Sequence, residues 1–177
     1  MTKNIVTVFS VWLLFSILFP SHYAHSQEWT ANTIESLPDS SFALVETKKD
    51  KTKVRHFPYK DINGRVDINQ LIYCLGTFSD ETWVDPHNAE IARKRLEEYY
   101  YRFKLTQTKE GIRGAININT AHLKDLVCLP SIGPVTAVKI YQFRETHGLF
   151  RSIEDIKQVE GIGPAIFAGI RYYITIR

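Results

Sequence analysis

The tightest constraint on this chain is a phrase it says twice. Residues 129–134 read LPSIGP, and thirty positions later residues 159–164 read VEGIGP. Aligning Gly133 on Gly163 also pairs Leu123 with Ile153, Asp125 with Asp155, Leu126 with Ile156, Leu129 with Val159 and Ile140 with Ile170. The repeated unit therefore reads as a short helix, a tight turn and a second helix. Small residues in the turn permit sharp backbone geometry and close approach of another backbone. Pro134 and Pro164 fall where a helix's first turn tolerates proline, because that N–H has no intrahelical partner anyway. Ser152 and Asp155 make an acidic variant of the capping box in the second copy. The first copy has His122 at that position, a weaker cap, with Thr120 available slightly earlier.

A turn that ends at a helix N-terminus presents unpaired N–H groups and the positive end of the helix dipole. Such an end accepts anions, phosphate among them. Two copies could hold two phosphates along one polymer, a contact that positions the backbone without reading bases. Candidate contact residues are Ser131, Ile132, Gly133, Val135, Thr136 and Lys139 in copy one. In copy two they are Gly161, Ile162, Gly163, Ala165 and Arg171. Arg144 and Arg151 are expected to add charge. Across residues 112–177, eight Lys/Arg face five acids. That excess is modest, so backbone amides must carry much of any binding.

The remaining chain is less informative. Its 177 residues allow one domain or two small ones, and 44% hydrophobic with 23% charged residues is ordinary for a folded protein. Residues 1–26 read as a signal peptide. Lys3 precedes an apolar run from Ile5 to Phe19, and Ala24-His25-Ser26 suits cleavage before Gln27. The run falls short of the about 20 residues of a membrane span, and no cysteine follows it as a lipid attachment point. The expectation is export to a periplasm or beyond, with an uncleaved anchor as the lesser alternative. That compartment permits a Cys74–Cys128 disulfide, although both lie in apolar runs and suit buried free thiols equally.

Residues 27–53, with the charge run KKDKTK at 48–53, read as a flexible lead-in. Residues 54–107 read as a small helical or α+β region of unassigned role. Asn63-Gly64 marks a tight turn and a possible hairpin, Asp67 with Gln70 resembles a capping box, and Gly76 ends that helix. Asp85-Pro86 opens a longer helix toward Phe103. Residues 108–115, TKEGIRGA, look like a hinge. DINGRVD is not a calcium loop, since its glycine comes fourth and no glutamate closes it. His56 and His87 have no ligand-like neighbours in sequence and are assigned surface or structural roles. No catalytic constellation, metal site or cofactor motif emerges, so neither an enzyme nor a small-molecule binder is expected.

The C-terminal residues resemble the tandem helix-hairpin-helix module of ComEA-type DNA receptors. NINTA at 117–121, LPSIGP, YQFRETHGLF at 141–150 and VEGIGP all match, over about 60 of the 177 residues. The resemblance implies a mainly α fold, with a tandem helix-hairpin-helix domain over 116–177 that binds double-stranded DNA through hairpin amides without strong sequence preference. It implies a competence-type protein holding incoming DNA outside the membrane, with DNA-uptake or envelope proteins as further partners. The alternative is an extracytoplasmic scaffold that uses the module without DNA. DNA glycosylases share an LPGxG hairpin but need a larger helical domain and a downstream catalytic residue. This sequence departs from the pattern at Ser131, where glycine is expected, at Phe167, where alanine is common, and at Gly169, which replaces the basic residue seen as Lys139.

Overall fold

The computed structural model describes residues 29–110 and 114–177. The expected signal segment lies outside them, as do residues 111–113 of the expected hinge. In chain order the elements are α1 (Ala31–Ser36), β1 (Phe42–Thr47), β2 (Lys53–Pro58), α2 (Ile68–Gly76), α3 (Asn88–Glu110) and β3 (Ile116–Asn117). Then follow α4 (Leu123–Leu126), α5 (Pro134–His147), a 3₁₀ helix (Ile153–Gln158), α6 (Pro164–Ile170) and β4 (Ile174–Thr175). The fold is mainly α, as expected, with a small antiparallel hairpin ahead of the repeat.

The upstream half is more ordered than its sequence suggests. From Trp29 onward the expected lead-in is folded: α1 is capped by the Thr30 side chain, and β1 pairs with β2 around the KKDKTK turn. A solvated lysine-rich tip is compatible with a hairpin because only the flanking strands need a buried face. Val54, Phe57 and Phe42 supply it. The Asn63-Gly64 turn also forms, with Gly64 at φ +77° and the Asp61 carboxylate accepting from the Asn63 and Arg65 amides. Asp67 caps α2 by accepting from the Gln70 N–H at 3.1 Å. The helix after Pro86 starts at Asn88 and outruns Phe103 to Glu110.

His56 is fully buried and stacks on Trp83 at 4.3 Å. Its Nε2 lies 2.7 Å from Glu46 and its Nδ1 2.9 Å from Glu81. Glu46 also accepts from the Val84 and Asp85 amides and the Asn88 side chain. Burial raises the Glu46 pKa, but these donors outweigh it and hold the carboxyl below its ordinary 4.5. One polar cluster thus ties both strands to the start of α3.

The repeat has its own core, built from Leu123, Leu126, Leu129, Ile132, Ile140, Ile156, Val159, Ile162 and Ile170. These are the positions that the thirty-residue repeat aligns. Ile72 of α2 is buried in the same core, and Ile68, Tyr73, Tyr100 and Phe103 pack on it. Each such apolar side chain contributes about 1.5–3 kcal/mol on full burial. Two polar tethers reinforce the seam: the Lys124 amide donates to Asn69 at 3.1 Å, and Lys104 Nζ donates to the Val127 carbonyl at 2.7 Å. The upstream helices therefore form one face of the first hairpin's packing. Gly76 ends α2 as expected, but its smallness has another cause. A Cβ there would collide with Val138 and sit 2.9 Å from the Pro134 carbonyl oxygen.

Candidate nucleic-acid interface

Each hairpin turn is anchored from inside. The Ile132 amide donates to the Leu129 carbonyl at 3.2 Å, and the Ile162 amide to that of Val159 at 3.0 Å. Both isoleucine side chains are buried in the core and both amides are bonded inside the turn, so neither residue offers a donor to a ligand. Residue 161 needs a left-handed conformation, and Gly161 supplies it at φ +91°. Ser131 occupies the same conformation in copy one at φ +62°, where a side chain is strained. The departure from glycine at 131 thus alters strain, not turn type.

The next glycine of each copy follows a different logic. Gly133 and Gly163 are helix N-caps with extended backbones, φ −98° and −83° with ψ near 180°. A Cβ built on either meets nothing within 4 Å. Neither backbone conformation nor internal packing requires glycine there. Pro134 and Pro164 follow, and the first intrahelical bonds run from Ala137 to the Gly133 carbonyl and from Phe167 to that of Gly163, at 2.9 and 3.0 Å. No side chain caps either end. The amides at Val135 and Thr136, and at Ala165 in copy two, precede those first bonds and are left for an outside acceptor.

The flanking charges are arranged asymmetrically. Lys139 Nζ on α5 lies 2.9 Å from Glu160 Oε1 in the second turn, so this contact joins the helix of one hairpin to the turn of the other. Gly169, its counterpart on α6, offers no charge. Arg171 does not join the turn. It caps the C-terminal end of α6 and lies over the Tyr172 ring at 5.1 Å. A rise of 1.5 Å per residue puts it about 12 Å along the axis from Gly163. Arg144, expected to add surface charge, is only 5% exposed and donates to the Ile118 carbonyl at 3.0 Å. Arg151 is exposed, and its backbone amide is held by Asp155.

Two residues organise the pair of hairpins without facing a ligand. Asn119 is buried, accepts from the Phe150 amide at 2.8 Å and donates to the Phe150 carbonyl at 3.0 Å. Arg144 holds the neighbouring Ile118 carbonyl. Together they bind NINTA to the connection between the repeats, and β3 pairs with β4 beside them. Both stretches were legible as motif matches, but Asn119 was given no role and Arg144 was expected at the surface. The helix starts behave as the repeat implies: Asp125 accepts from the His122 amide, and Asp155 from those of Arg151 and Ser152. The Arg151 amide, then that of Ser152, lowers the Asp155 pKa. Phe167 lies partly buried under the Lys157 amine, 5.2 Å from its ring, so the larger residue covers core where alanine sits in copy one.

Cys74 and Cys128 are both free thiols, and no bridge joins them. Cys74 is buried and donates to the Pro58 carbonyl, and burial pushes its pKa up. Cys128 donates to the Lys124 carbonyl. Among the described residues no group of His, Cys, Asp and Glu could hold a metal ion, and no helix is long and apolar enough to cross a membrane.

Comparison with known proteins meets this geometry at the same place. Residues 113–175 match the family described as the helix-hairpin-helix motif. ComE operon protein 1 of Bacillus subtilis is 44% identical over 69 residues, 38% of this chain and 34% of the relative. An endonuclease/exonuclease/phosphatase family domain-containing protein 1 of Rattus norvegicus is 39% identical over 59 residues, 33% of this chain and 10% of the relative. A kinesin-like protein of Rattus norvegicus is 28% identical over 134 residues, 74% of this chain and 20% of the relative. The chain thus spans about a third or less of each relative's length. Residues 113–175 thus carry the helix-hairpin-helix motif, and this region is similar to ComE operon protein 1.

Proposed function

We propose that this chain is an exported DNA-binding protein of the DNA-uptake receptor type, which grips the phosphates of duplex DNA with its two hairpin turns and does not read sequence. The observation that carries the reading is the pair of open N-cap glycines. Among the described residues, nothing demands glycine at 133 or 163. An external backbone that must approach the free amides does demand it. The likeness to ComE operon protein 1 supports the competence setting, and the helix-hairpin-helix match supports nucleic acid as the ligand.

In this reading residues 1–26 direct export to the periplasm or cell exterior, and residues 116–177 form the binding domain. Ser131, Gly133, Val135, Thr136 and Lys139 serve the first phosphate path. Gly161, Gly163 and Ala165 serve the second. Ile132 and Ile162 anchor the turns and donate nothing to the ligand, and Arg171 contributes distant charge at most. The region from 54 to 107 buttresses hairpin one and is free elsewhere to meet uptake or envelope proteins. No catalytic step is assigned.

Unrelated duplexes should bind with equal affinity in a gel-shift or anisotropy titration. The slope of log K against log salt should be about −2 to −4, for roughly two to four phosphates. Bulky residues at Gly133 and Gly163 together should abolish binding while the fold persists. A scaffold role without DNA is the rival reading, favoured by the Lys139 amine being already engaged by Glu160. It requires no duplex binding at low salt and capture of an envelope protein instead.

A further inference from the structure

The one ion pair that joins the two hairpin repeats, among the described residues, places a carboxylate in the turn assigned to phosphate. Glu160 stands immediately before Gly161, its side chain is 85% exposed, and its Oε1 lies 2.9 Å from Lys139 Nζ. Lys139 is 34% exposed, and its amine reaches across to turn two. The repeat gives neither residue a counterpart: Pro130 aligns with Glu160, and Gly169 with Lys139. The pair is therefore a feature of this arrangement and not of the motif.

We infer that Glu160 is an internal competitor for the phosphate site, occupying the Lys139 amine until duplex DNA displaces it. The inference rests on the DNA-binding reading and adds a regulator to that site. The exchange is chemically plain. A carboxylate and a phosphate oxygen are both anionic acceptors for one ammonium, and the phosphate also takes the free amides of the adjoining helix start. While Glu160 holds Lys139, the lysine contributes no net charge to the surface and displaces no counterion on first encounter. The acid also repels an incoming phosphate. Both effects weaken binding and flatten its salt dependence. They are tolerable in a protein that must release what it captures. An exposed pair of this kind is weak, which suits a contact that has to open on binding.

The test is a double-mutant cycle on duplex affinity with the full mature chain, using Glu160→Gln, Lys139→Gln and the double variant. An unrelated-sequence duplex serves as probe across about 50–200 mM salt. Glu160→Gln is expected to tighten binding about two- to fivefold at low salt and to steepen the log–log slope by about 0.9, one additional counterion. In the Lys139→Gln background the same change should gain clearly less and leave the slope unaltered. Equal gains in both backgrounds would mean simple repulsion and overturn the exchange. No gain in either overturns the role of Glu160 altogether. If neither the natural chain nor Glu160→Gln binds any duplex at low salt, the DNA reading itself has failed, and this inference with it. Unchanged melting curves for all three variants confirm that the comparison concerns binding.

Discussion

Gly76 and Val138 are packed so closely that the position of α2 on α5 depends on the missing side chain at residue 76. The same glycine lies against the Pro134 carbonyl, in the first turn of the helix that follows hairpin one. A residue some sixty positions upstream thereby sets the support beneath a candidate binding turn.

Gly76→Ala should overpack this seam and cost about 1–3 kcal/mol of stability. Urea unfolding measures it directly. A change within error would mean that α2 shifts freely and is not a fixed buttress.

The two kinds of turn glycine should separate cleanly. Gly163→Ala meets open space at an ordinary φ, so stability should fall by no more than about 1 kcal/mol, the scale of an N-cap change. Duplex affinity should nevertheless drop at least about tenfold, or about 1.4 kcal/mol. Gly161→Ala should instead lose about 1–2 kcal/mol of stability through its left-handed backbone. Paired thermal melts and anisotropy titrations read both effects.

Ser131→Gly is the mirror experiment. Ser131 holds a left-handed conformation that glycine adopts without strain, so the substitution should stabilise the fold by about 0.5–1 kcal/mol. Chemical denaturation would show the gain as a higher midpoint at unchanged slope. A loss would mean that the serine hydroxyl does something that its geometry does not reveal.

Asn119→Ala removes a buried amide that bonds both the N–H and the carbonyl of Phe150. The expected cost is about 2–3 kcal/mol, because the partners left behind are buried and unpaired. Calorimetric melting checks it. The hairpins should also lose their mutual orientation, so duplex binding should weaken at temperatures where the chain is still folded.

Acid stability should report Glu46. Its carboxyl is held below 4.5 in the folded state, so it adds stability above the unfolded value, and that stability is lost as pH falls through the folded value. Melting temperature should decline as pH drops below about 4.5. Glu46→Gln should melt lower at pH 6 and show a shallower decline toward acid. A parallel decline in both proteins would assign the acid limb to other carboxylates.

Local features were legible in the sequence. The repeat announced two turns, prolines marked two helix starts, and Asp67 and Asp155 marked caps, since each needs only bonds within a few residues. Even the core of the repeat could be read from its aligned apolar positions. The upstream half was less legible. The β1–β2 pairing runs between segments whose intervening lysines resemble any solvated loop, and His56 gains its partners Glu46 and Glu81 only when three segments converge.

The sequence alone determined that two glycine turns open two helices thirty residues apart, because backbone conformation and capping are short-range and leave their mark in residue type. Tertiary structure decided which charges stand at those turns. It buried Arg144 beneath Ile118, carried Arg171 to the far end of a short helix, and brought Lys139 across to Glu160. A charge acts through space over a few ångströms, and proximity between distant residues is set by packing rather than by spacing along the chain.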